Sequence, residues 1–322
     1  MGNEVAIHAM VTSVEKIRFE FVEIICMKPV RVALFAPGIN ARVMTKAIAA
    51  EVDAVILDLE DSVPIASKAE ARSLVAATID GAATAKGPGI YVRVNNAATG
   101  HLANDLEAIV RPGLDAVMLP KVESVEEVQQ AANAIERNET ARGIKSGSVS
   151  IILQIESALG VYRCFDLIKA SPRVGATCLG GARDGDLQTD LGCGWSIEGT
   201  ELMYARSKVL LDTRAAGAHV YPLDGVFSDL NDETGLIADS RLSARLGYIG
   251  RTVIHPKQIA PVKSSYAVPE LEVAYYQKVV VEFAAAEKAG TAAIAVDGKL
   301  VDYAMAQRAR RVLELAKLDR PR

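Results

Sequence analysis

Charged side chains stand at the ends of several short apolar runs in this sequence. The run DAVILDLEDSV, residues 53–63, begins as a buried strand would and then carries Asp58, Glu60 and Asp61. The polar residues at the ends of the other runs are Arg93, Asn95, Lys121, Gln154, Glu156, Asp224 and His255. Charges that leave water are costly unless they are paired or bind an ion. These positions therefore predict a charged pocket that binds an ion or a polar substrate.

The excess of carboxylates predicts a hard divalent ion, Mg2+ or Mn2+. The chain has 40 acidic residues but only 4 histidines and 4 cysteines, and oxygen ligands suit these ions. Glu156 is one candidate ligand, because it ends the apolar run VSIILQIE and would otherwise be a buried anion without a cation. The segment GGARDGDLQTDLG offers Asp184, Asp186 or Asp190 as the second ligand. The planar guanidinium of Arg93 suits a carboxylate or a developing oxyanion.

Several of these residues also have a structural interpretation. Asp61 and Asp224 stand where strand ends often supply the cap of the next helix. His255 precedes Pro256 and is more typical of a turn than of a catalytic base. Lys121 suits Schiff-base chemistry only when neutral, and the acids around it favour the protonated form. The sequence has no G-x-S-x-G elbow, no P-loop, and no G-x-G-x-x-G after its first strand-like run, so these chemistries are not indicated.

The elements that must position these residues alternate along the chain from residue 30 onward. Eight strand-like runs are separated mostly by segments with helical spacing of apolar residues, and they cover 31–37, 54–60, 90–95, 116–121, 149–156, 175–181, 219–225 and 251–255. This alternation predicts an α/β fold, a (β/α)8 TIM barrel, with an open doubly wound sheet as the alternative. In a barrel the C-terminal ends of all strands open on one face, which would bring the polar residues together.

The sequence predicts three regions. Residues 1–29 form an N-terminal extension with no assigned role, and residues 30–265 form the catalytic barrel domain. Residues 266–322 form a C-terminal lid or oligomerisation arm, because eight βα units do not need this much chain. The arm is predicted to contain a helix over 268–289, an extended element turning at Asp297-Gly298, and a final helix.

Composition limits the partners of the protein. The net charge is −4 and charges of both signs are mixed along the chain, so we expect neither nucleic acid nor an anionic membrane as the main partner. The four cysteines lie far apart with no C-x-x-C pair, which predicts a reducing compartment. Neither a secretory signal nor a transmembrane pattern is recognised, so the expected location is cytoplasmic.

Read in order, a series of short motifs resembles the citrate lyase β-subunit-like enzymes of the HpcH/HpaI aldolase superfamily over residues 30–317. The motifs are LFAPG, DAVILDLEDSV…KAEAR, YVRVN, LPKVES, IES, DLQTDLG, IHPKQI and DGKLVD. The resemblance implies a (β/α)8 barrel, in trimers or hexamers, that cleaves or forms a carbon–carbon bond next to an acyl thioester. It implies Mg2+ as cofactor, and an acyl-CoA with a small keto or hydroxy acid as ligands.

The resemblance also assigns the metal ligands. The metal carboxylates of the family fall on Glu156 and Asp186, because the family pattern has a metal aspartate six residues before the glycine of DLG, here Gly192. The segment GGARDGD is a few residues longer than the corresponding GxxD or GGED of the family. The choice between Asp184 and Asp186 therefore stays open at this point.

The remaining site residues follow from the same resemblance. The substrate-binding arginine of the family falls on Arg93. The acids of LED, which hold metal-bound water, fall on Glu60 and Asp61, and with Glu156 they complete the expected substrate-binding set. In the acyl-CoA lyases of this group an aspartate of the C-terminal segment enters the neighbouring subunit's site as the acid/base. The matching residue is Asp302, whose structural alternative is a cap before the last helix.

The function that the resemblance implies is a Mg2+-dependent carbon–carbon lyase. It would cleave a β-hydroxyacyl-CoA of the citryl-, malyl- or citramalyl-CoA type to an acyl-CoA and a keto acid. Three alternatives stay open: a metal-dependent aldolase on free hydroxy-keto acids, a malyl-CoA-type thioesterase, and a citrate lyase subunit that takes its acyl group from a carrier protein. Asn40 stands where the family commonly has an arginine near the CoA, with Arg42 close by.

Overall fold

Eight parallel strands close into a barrel in the computed structural model, which describes residues 27–83, 87–217 and 219–319. The strands are β1 Val32–Pro37, β2 Ala54–Asp58, β3 Gly89–Arg93, β4 Ala116–Leu119, β5 Ser150–Ile155, β6 Val174–Leu179, β7 Tyr221–Asp224 and β8 Gly250–Val253. Each predicted strand-like run overlaps one of them. β1 pairs with both β2 and β8, which closes the sheet and excludes the open alternative. The TIM barrel prediction is confirmed.

The strands are apolar on both faces, because one face lies in the barrel interior and the other is covered by helices. Side chains that point inward, among them Ile56, Met118 and Ile152, pack together at the centre of the barrel. Outward residues such as Val55 and Leu57 pack against the surrounding helices. All five residues of β2 are buried, including Asp58 at its end. A run that is apolar on both faces is typical of parallel sheets covered on both sides.

Helices follow the strands and surround the barrel. They are α1 Ala41–Ile48, α2 Lys68–Ala82, α3 Leu102–Ile109, α4 Val125–Ala141, α5 Ala158–Lys169, α6 Asp186–Leu191, α7 Met203–Ala216, α8 Glu233–Leu246 and α9 Ile259–Tyr266. Capping side chains begin several of these helices. The Ser124 side chain accepts from the backbone N–H of Glu127, whose carboxylate accepts from the Ser124 N–H, so a capping box begins α4. In the part of the chain that the structure describes, no helix is long and apolar enough to span a membrane.

The C-terminal segment forms a separate small unit with its own core. It contains α10 Glu270–Lys288, the antiparallel pair β9 Ile294–Val296 and β10 Lys299–Val301, and α11 Tyr303–Ala316. Val279 and Phe283 of α10 pack with Ala306 and Ala309 of α11. Its C-terminal end is attached to the barrel where Arg31 Nε meets Asp319 Oδ1 at 2.9 Å. The predicted helices and turn are present, whereas the role of this arm as a lid or an oligomer contact stays a prediction.

The N-terminal boundary lies at the base of the barrel. Met27 is buried among the inward-facing residues, and a side chain at Gly175 would overlap the Met27 Cβ. Residues 27–29 therefore close the end of the barrel opposite the strand tips. The remainder of the predicted extension, residues 1–26, lies outside the described residues.

Candidate active site

The strand tips surround a central cavity of about 490 Å3. Residues from every strand except β4, or from the loops that follow those strands, line it, among them Phe35, Asp58, Asp61, Arg93, Gln154, Glu156, Cys178, Gly180, Asp186, Val226, Thr252 and Ile254. A wider groove of about 1100 Å3 lies beside it and adds Glu60 and Lys121 to the lining. Asp61, Glu156 and Asp186 line both spaces. The carboxyl ends of the strands thus carry a continuous charged pocket, as expected for a parallel barrel.

Arg93 is held in place by Asp58, its neighbour across β2 and β3. The two residues are register partners, and Arg93 Nε and Nη2 donate to Asp58 Oδ1 and Oδ2 at 2.7 and 2.8 Å. The guanidinium also lies 4.9 Å from the centre of the Phe35 ring. Burial alone would raise the pKa of Asp58, but the hydrogen bonds and charge of Arg93 lower it below its ordinary value. The pair is therefore ionised and rigid.

Glu60 and Asp61 form an acidic edge beside this pair. Arg93 Nη1 lies 3.2 Å from Glu60 Oε2, which makes no hydrogen bond, and 3.6 Å from Asp61 Oδ2. Lys121 Nζ reaches Glu60 Oε1 at 3.1 Å and Asp61 Oδ1 at 3.5 Å. Burial is the largest influence on Glu60 and raises its pKa above the usual value. Three carboxylates, Asp58, Glu60 and Asp61, thus share the two positive charges of Arg93 and Lys121.

Lys121 contacts the acids that follow β2, Glu156 after β5, and Asp186 at the start of α6. Burial would lower its pKa, but the charges of Glu60, Asp61 and Asp186 raise it overall, so the side chain is an ammonium and does not suit a Schiff base. Its backbone has φ +52°, a left-handed conformation that costs an L-residue roughly 1–2 kcal/mol. This turn directs the Lys121 N–H to Glu156 Oε1 at 2.9 Å.

Glu156 is a buried carboxylate at the centre of the pocket. Its Oε1 accepts from the Lys121 N–H, and its Oε2 accepts from Gln154 Nε2 at 2.6 Å. Burial, followed by the negative charges of Glu60 and Asp186, raises the pKa of Glu156 to about 7 despite the opposing charge of Arg93. Gly180 makes room for it, because a side chain at this position would overlap the Glu156 Cβ.

The structure distinguishes the two aspartates that the sequence left open. Asp186 begins α6, lines both the cavity and the groove, and lies 3.4 Å from Lys121 Nζ. Asp184 lines neither space, has φ +59°, and contacts Arg183 at 3.7 Å on the surface. Of the two, Asp186 is the one that faces Glu156.

The carboxylates present fit a divalent ion that keeps several of its bound waters. No group of three or more histidine, cysteine, aspartate or glutamate side chains is arranged to hold a metal by itself within the described ranges. Mg2+ does not need such a cage, because it keeps several waters and uses one or two carboxylates together with substrate oxygens. Glu156 and Asp186 provide two carboxylates. Burial, followed by the charges of Glu60 and Asp186, raises the pKa of Glu156, and a bound cation would oppose these effects.

Three other polar residues predicted near the strand tips have structural roles in this chain. Asp224, expected in the pocket, is buried beneath it and lies 3.2 Å from Arg206 Nη2. Asn95 lines the groove, but its Nδ2 donates to Asp105 and to the Leu59 carbonyl. His255 accepts from the Lys257 N–H in a turn, which is the structural interpretation given above.

Asp302 lies away from both spaces in the single chain. Its Oδ1 accepts from the Met305 N–H at 3.0 Å and caps α11. Neither the cavity nor the groove is lined by it. Its predicted catalytic role therefore stays a prediction that needs a second subunit.

Sequence reasoning missed the roles of Asp58 and Gly180. Asp58 could have been paired with Arg93, because β2 and β3 each end in a charged residue and the charges are opposite. The signal for Gly180 was weaker: it is the first of two glycines directly after a strand, where close approach to another backbone or side chain is common.

The chain belongs to the HpcH/HpaI aldolase/citrate lyase family, whose model matches residues 31–256. It is 36% identical over 288 residues to citrate lyase subunit beta of Escherichia coli K12, covering 89% of this chain and 93% of that protein. It is 30% identical over 301 residues to the mitochondrial citramalyl-CoA lyase of Homo sapiens, covering 89% and 86%. The chain is accordingly an enzyme of the lyase class.

Solved structures of relatives contain the kind of ligands that the sequence predicts. The CitE protein of Mycobacterium tuberculosis, in complex with magnesium, acetoacetate and coenzyme A, matches with a TM-score of 0.67 and 30% identity over 89% of this chain and 98% of that chain. The citrate lyase beta subunit of the same organism, complexed with oxaloacetate and magnesium, matches with a TM-score of 0.59 and 32% identity over 74% and 96%. The prediction of Mg2+ as the cofactor agrees with both complexes.

Proposed function

We propose that this protein is a Mg2+-dependent carbon–carbon lyase that cleaves a β-hydroxyacyl-CoA to an acyl-CoA and a keto acid. The substrate would be of the citryl-, malyl- or citramalyl-CoA type. The observation that carries the proposal is Glu156, a buried carboxylate that receives its hydrogen bonds from the neutral donors Lys121 N and Gln154 Nε2. It faces a second carboxylate, Asp186, in a cavity large enough for a small acid.

Glu156 and Asp186 would hold the metal ion. Glu156 is fixed by two hydrogen bonds and by its close contact with Gly180, and Asp186 is half-exposed and can adjust to the ion. When bound, Mg2+ would supply Lewis-acid polarisation of the substrate's keto or hydroxyl oxygen. The magnesium in the relatives' complexes supports Mg2+ as the ion.

Arg93 would steady the oxygen that gains charge as the carbon–carbon bond breaks. Its Nε and Nη2 are committed to Asp58, so Nη1 is the edge that it presents to Glu60, Asp61 and a ligand. A donor held in place before the reaction does not need to reorganise, which is the main source of electrostatic catalysis. Asp58 would thus act as a positioning residue.

The reaction requires one proton to leave the substrate hydroxyl and one to reach the new carbanion. Loss of the hydroxyl proton allows the carbon–carbon bond to break, and its electron pair forms the enolate of the acyl-CoA. That enolate then takes a proton. Asp302 of a neighbouring subunit is the proposed acid/base, which requires a homo-oligomer, a trimer or hexamer, with the arm extending to the next barrel.

A second candidate is a citrate lyase subunit that acts on an acyl group held by a carrier protein. The 36% identity to the subunit of Escherichia coli favours it. Asn40, at the position where the resemblance places an arginine near CoA, caps α1 by accepting from the Val43 N–H. Copurification with a small acyl-carrier protein, together with absence of CoA binding, would support this candidate over the first.

The metal assignment is tested by three matched variants: Glu156→Gln, Asp186→Asn and Asp184→Asn. Titration calorimetry with Mg2+ or Mn2+ should show lost or strongly weakened binding in the first two and wild-type affinity in Asp184→Asn. Cleavage of malyl-CoA and citramalyl-CoA should follow the same order. Retention of metal binding and turnover in both Glu156→Gln and Asp186→Asn would refute the proposal.

A further inference from the structure

The central cavity has two chemically different sides. The side formed by β2, β3, β5 and α6 carries the charges described above, Asp58, Asp61, Arg93, Glu156 and Asp186. The side formed by β1 and by β6 to β8 with their loops is apolar apart from the Thr252 hydroxyl, and its larger side chains include Cys178, Leu179, Val226, Thr252 and Ile254. Phe35 lies at the boundary of the two sides, because the Arg93 guanidinium is 4.9 Å from its ring centre. A substrate that spans the cavity therefore meets carboxylates and a guanidinium at one end and hydrocarbon at the other.

The apolar side offers nothing that would neutralise an anion. Among the described residues that line the cavity, Arg93 is the one cation, and two of its three nitrogens already donate to Asp58. The Thr252 hydroxyl points to the Asp224 carbonyl at 3.5 Å and to Cys178 Sγ at 3.9 Å. A carboxylate placed against this side would lose water without gaining a partner, which is costly.

The proposed reaction leaves one group of the substrate to occupy this side. On cleavage, the carbon that bears the hydroxyl becomes the keto carbon, and its carboxylate and oxygen belong at the charged end with the metal. The acyl-CoA arm, which is released as the enolate, leads out of the cavity toward the coenzyme. The fourth substituent on that carbon is hydrogen in malyl-CoA, methyl in citramalyl-CoA and carboxymethyl in citryl-CoA. We expect this substituent to point away from the charged end, toward Cys178, Val226 and Ile254.

We propose that the apolar side is a subsite for a short alkyl substituent, so that the keto acid is a 2-oxo monocarboxylate with a methyl or ethyl group. This inference rests on the proposed lyase function. Hydrogen leaves the subsite unfilled, and a carboxymethyl group brings an unpaired charge against it. A methylene placed in a hydrophobic pocket typically changes kcat/KM about 10- to 200-fold. Pyruvate and 2-oxobutyrate should therefore exceed glyoxylate and oxaloacetate by about tenfold or more in kcat/KM.

The test is condensation of acetyl-CoA with these four keto acids by the full-length protein in saturating Mg2+. Ile254→Lys places a cation at a strand tip where the side chain is already partly exposed, and it should shift the preference toward oxaloacetate by about tenfold or more. Ile254→Met, the matched control, keeps an apolar side chain there and should keep the wild-type order of keto acids.

The outcomes separate this inference from the function on which it rests. A wild-type enzyme that prefers oxaloacetate or glyoxylate overturns the alkyl subsite and leaves the lyase function standing. An unchanged preference in Ile254→Lys also overturns it, because a cation at the subsite must favour an anionic substituent. Failure of all four keto acids to condense or to bind in the presence of Mg2+ would refute the lyase function itself.

Discussion

Gly180→Ala should weaken metal binding without removing any ligand. A Cβ at this position would overlap the Glu156 Cβ and lie 3.0 Å from Glu156 Oε2, whereas carbon atoms in contact normally stay about 3.5–4.0 Å apart. Glu156 would have to move by about 1 Å, and its hydrogen bonds from Lys121 and Gln154 would be lost or distorted. Loss of such supporting contacts typically lowers metal affinity about 10- to 100-fold.

The assay is Mg2+ titration by calorimetry, with thermal unfolding measured in parallel. Gly181→Ala is the matched control, since a Cβ there would meet Leu179 and Leu202 at ordinary contact distances of 3.4 and 3.6 Å. It should bind Mg2+ as the wild type does. Wild-type affinity in Gly180→Ala, in a protein that still folds, would mean that the position of Glu156 does not determine metal binding.

Three further perturbations test other parts of the structure. In the wild type, Arg173 Nη2 lies 2.7 Å from Glu139 Oε2. Glu139→Gln leaves this buried guanidinium without a counter-charge, and urea unfolding should show a loss of about 3–5 kcal/mol in the free energy of unfolding. Burial alone would raise the pKa of Glu139, but the Arg173 hydrogen bonds lower it overall. The stability that ionised Glu139 contributes is thus present above its pKa in the unfolded chain, about 4.3, and is lost as the pH falls through its lower pKa in the folded protein. Glu139→Gln should therefore lose less stability than the wild type below about pH 5; equal acid sensitivity would contradict this. Asp58→Asn should reduce kcat about 100-fold by releasing Arg93, with little change in metal affinity; unchanged kcat would show that the clamp does not position Arg93. Asp302→Asn should be inactive alone but regain activity in mixed oligomers with Glu156→Gln, whose chains provide an intact Asp302; no recovery on mixing would exclude its action across subunits.

Local sequence patterns were sufficient to predict the barrel and much of its charged end. Each strand is a short apolar run of the length that a parallel sheet buries, and these runs repeat at the spacing of βα units. Because all strand tips of a closed barrel open on one face, side chains as distant in sequence as Glu60 and Asp186 could be expected in one pocket. Lys121 Nζ in fact contacts both.

The pairing of buried charges could not be predicted, because it depends on three-dimensional contacts between distant elements. Asp224 looks like other strand-tip acids in the sequence, yet it is part of a buried ion cluster, in which Arg206 of α7 contacts both Asp224 and Asp239 of α8. Arg251 of β8 completes this cluster through Asp239 Oδ2 at 2.8 Å. Residue type and strand position alone do not distinguish such an acid from one that faces a ligand.

The central claim, a metal-dependent site for a keto acid and an acyl-CoA, is tested most directly by calorimetry. Acetyl-CoA would be titrated into the full-length protein with and without Mg2+ and pyruvate, and the experiment repeated with Glu156→Gln. We predict that acetyl-CoA binding is strengthened when Mg2+ and pyruvate are both present, and that this gain is lost in Glu156→Gln. Acetyl-CoA binding that is indifferent to metal and keto acid, or no binding of either ligand in the presence of Mg2+, would contradict this assignment.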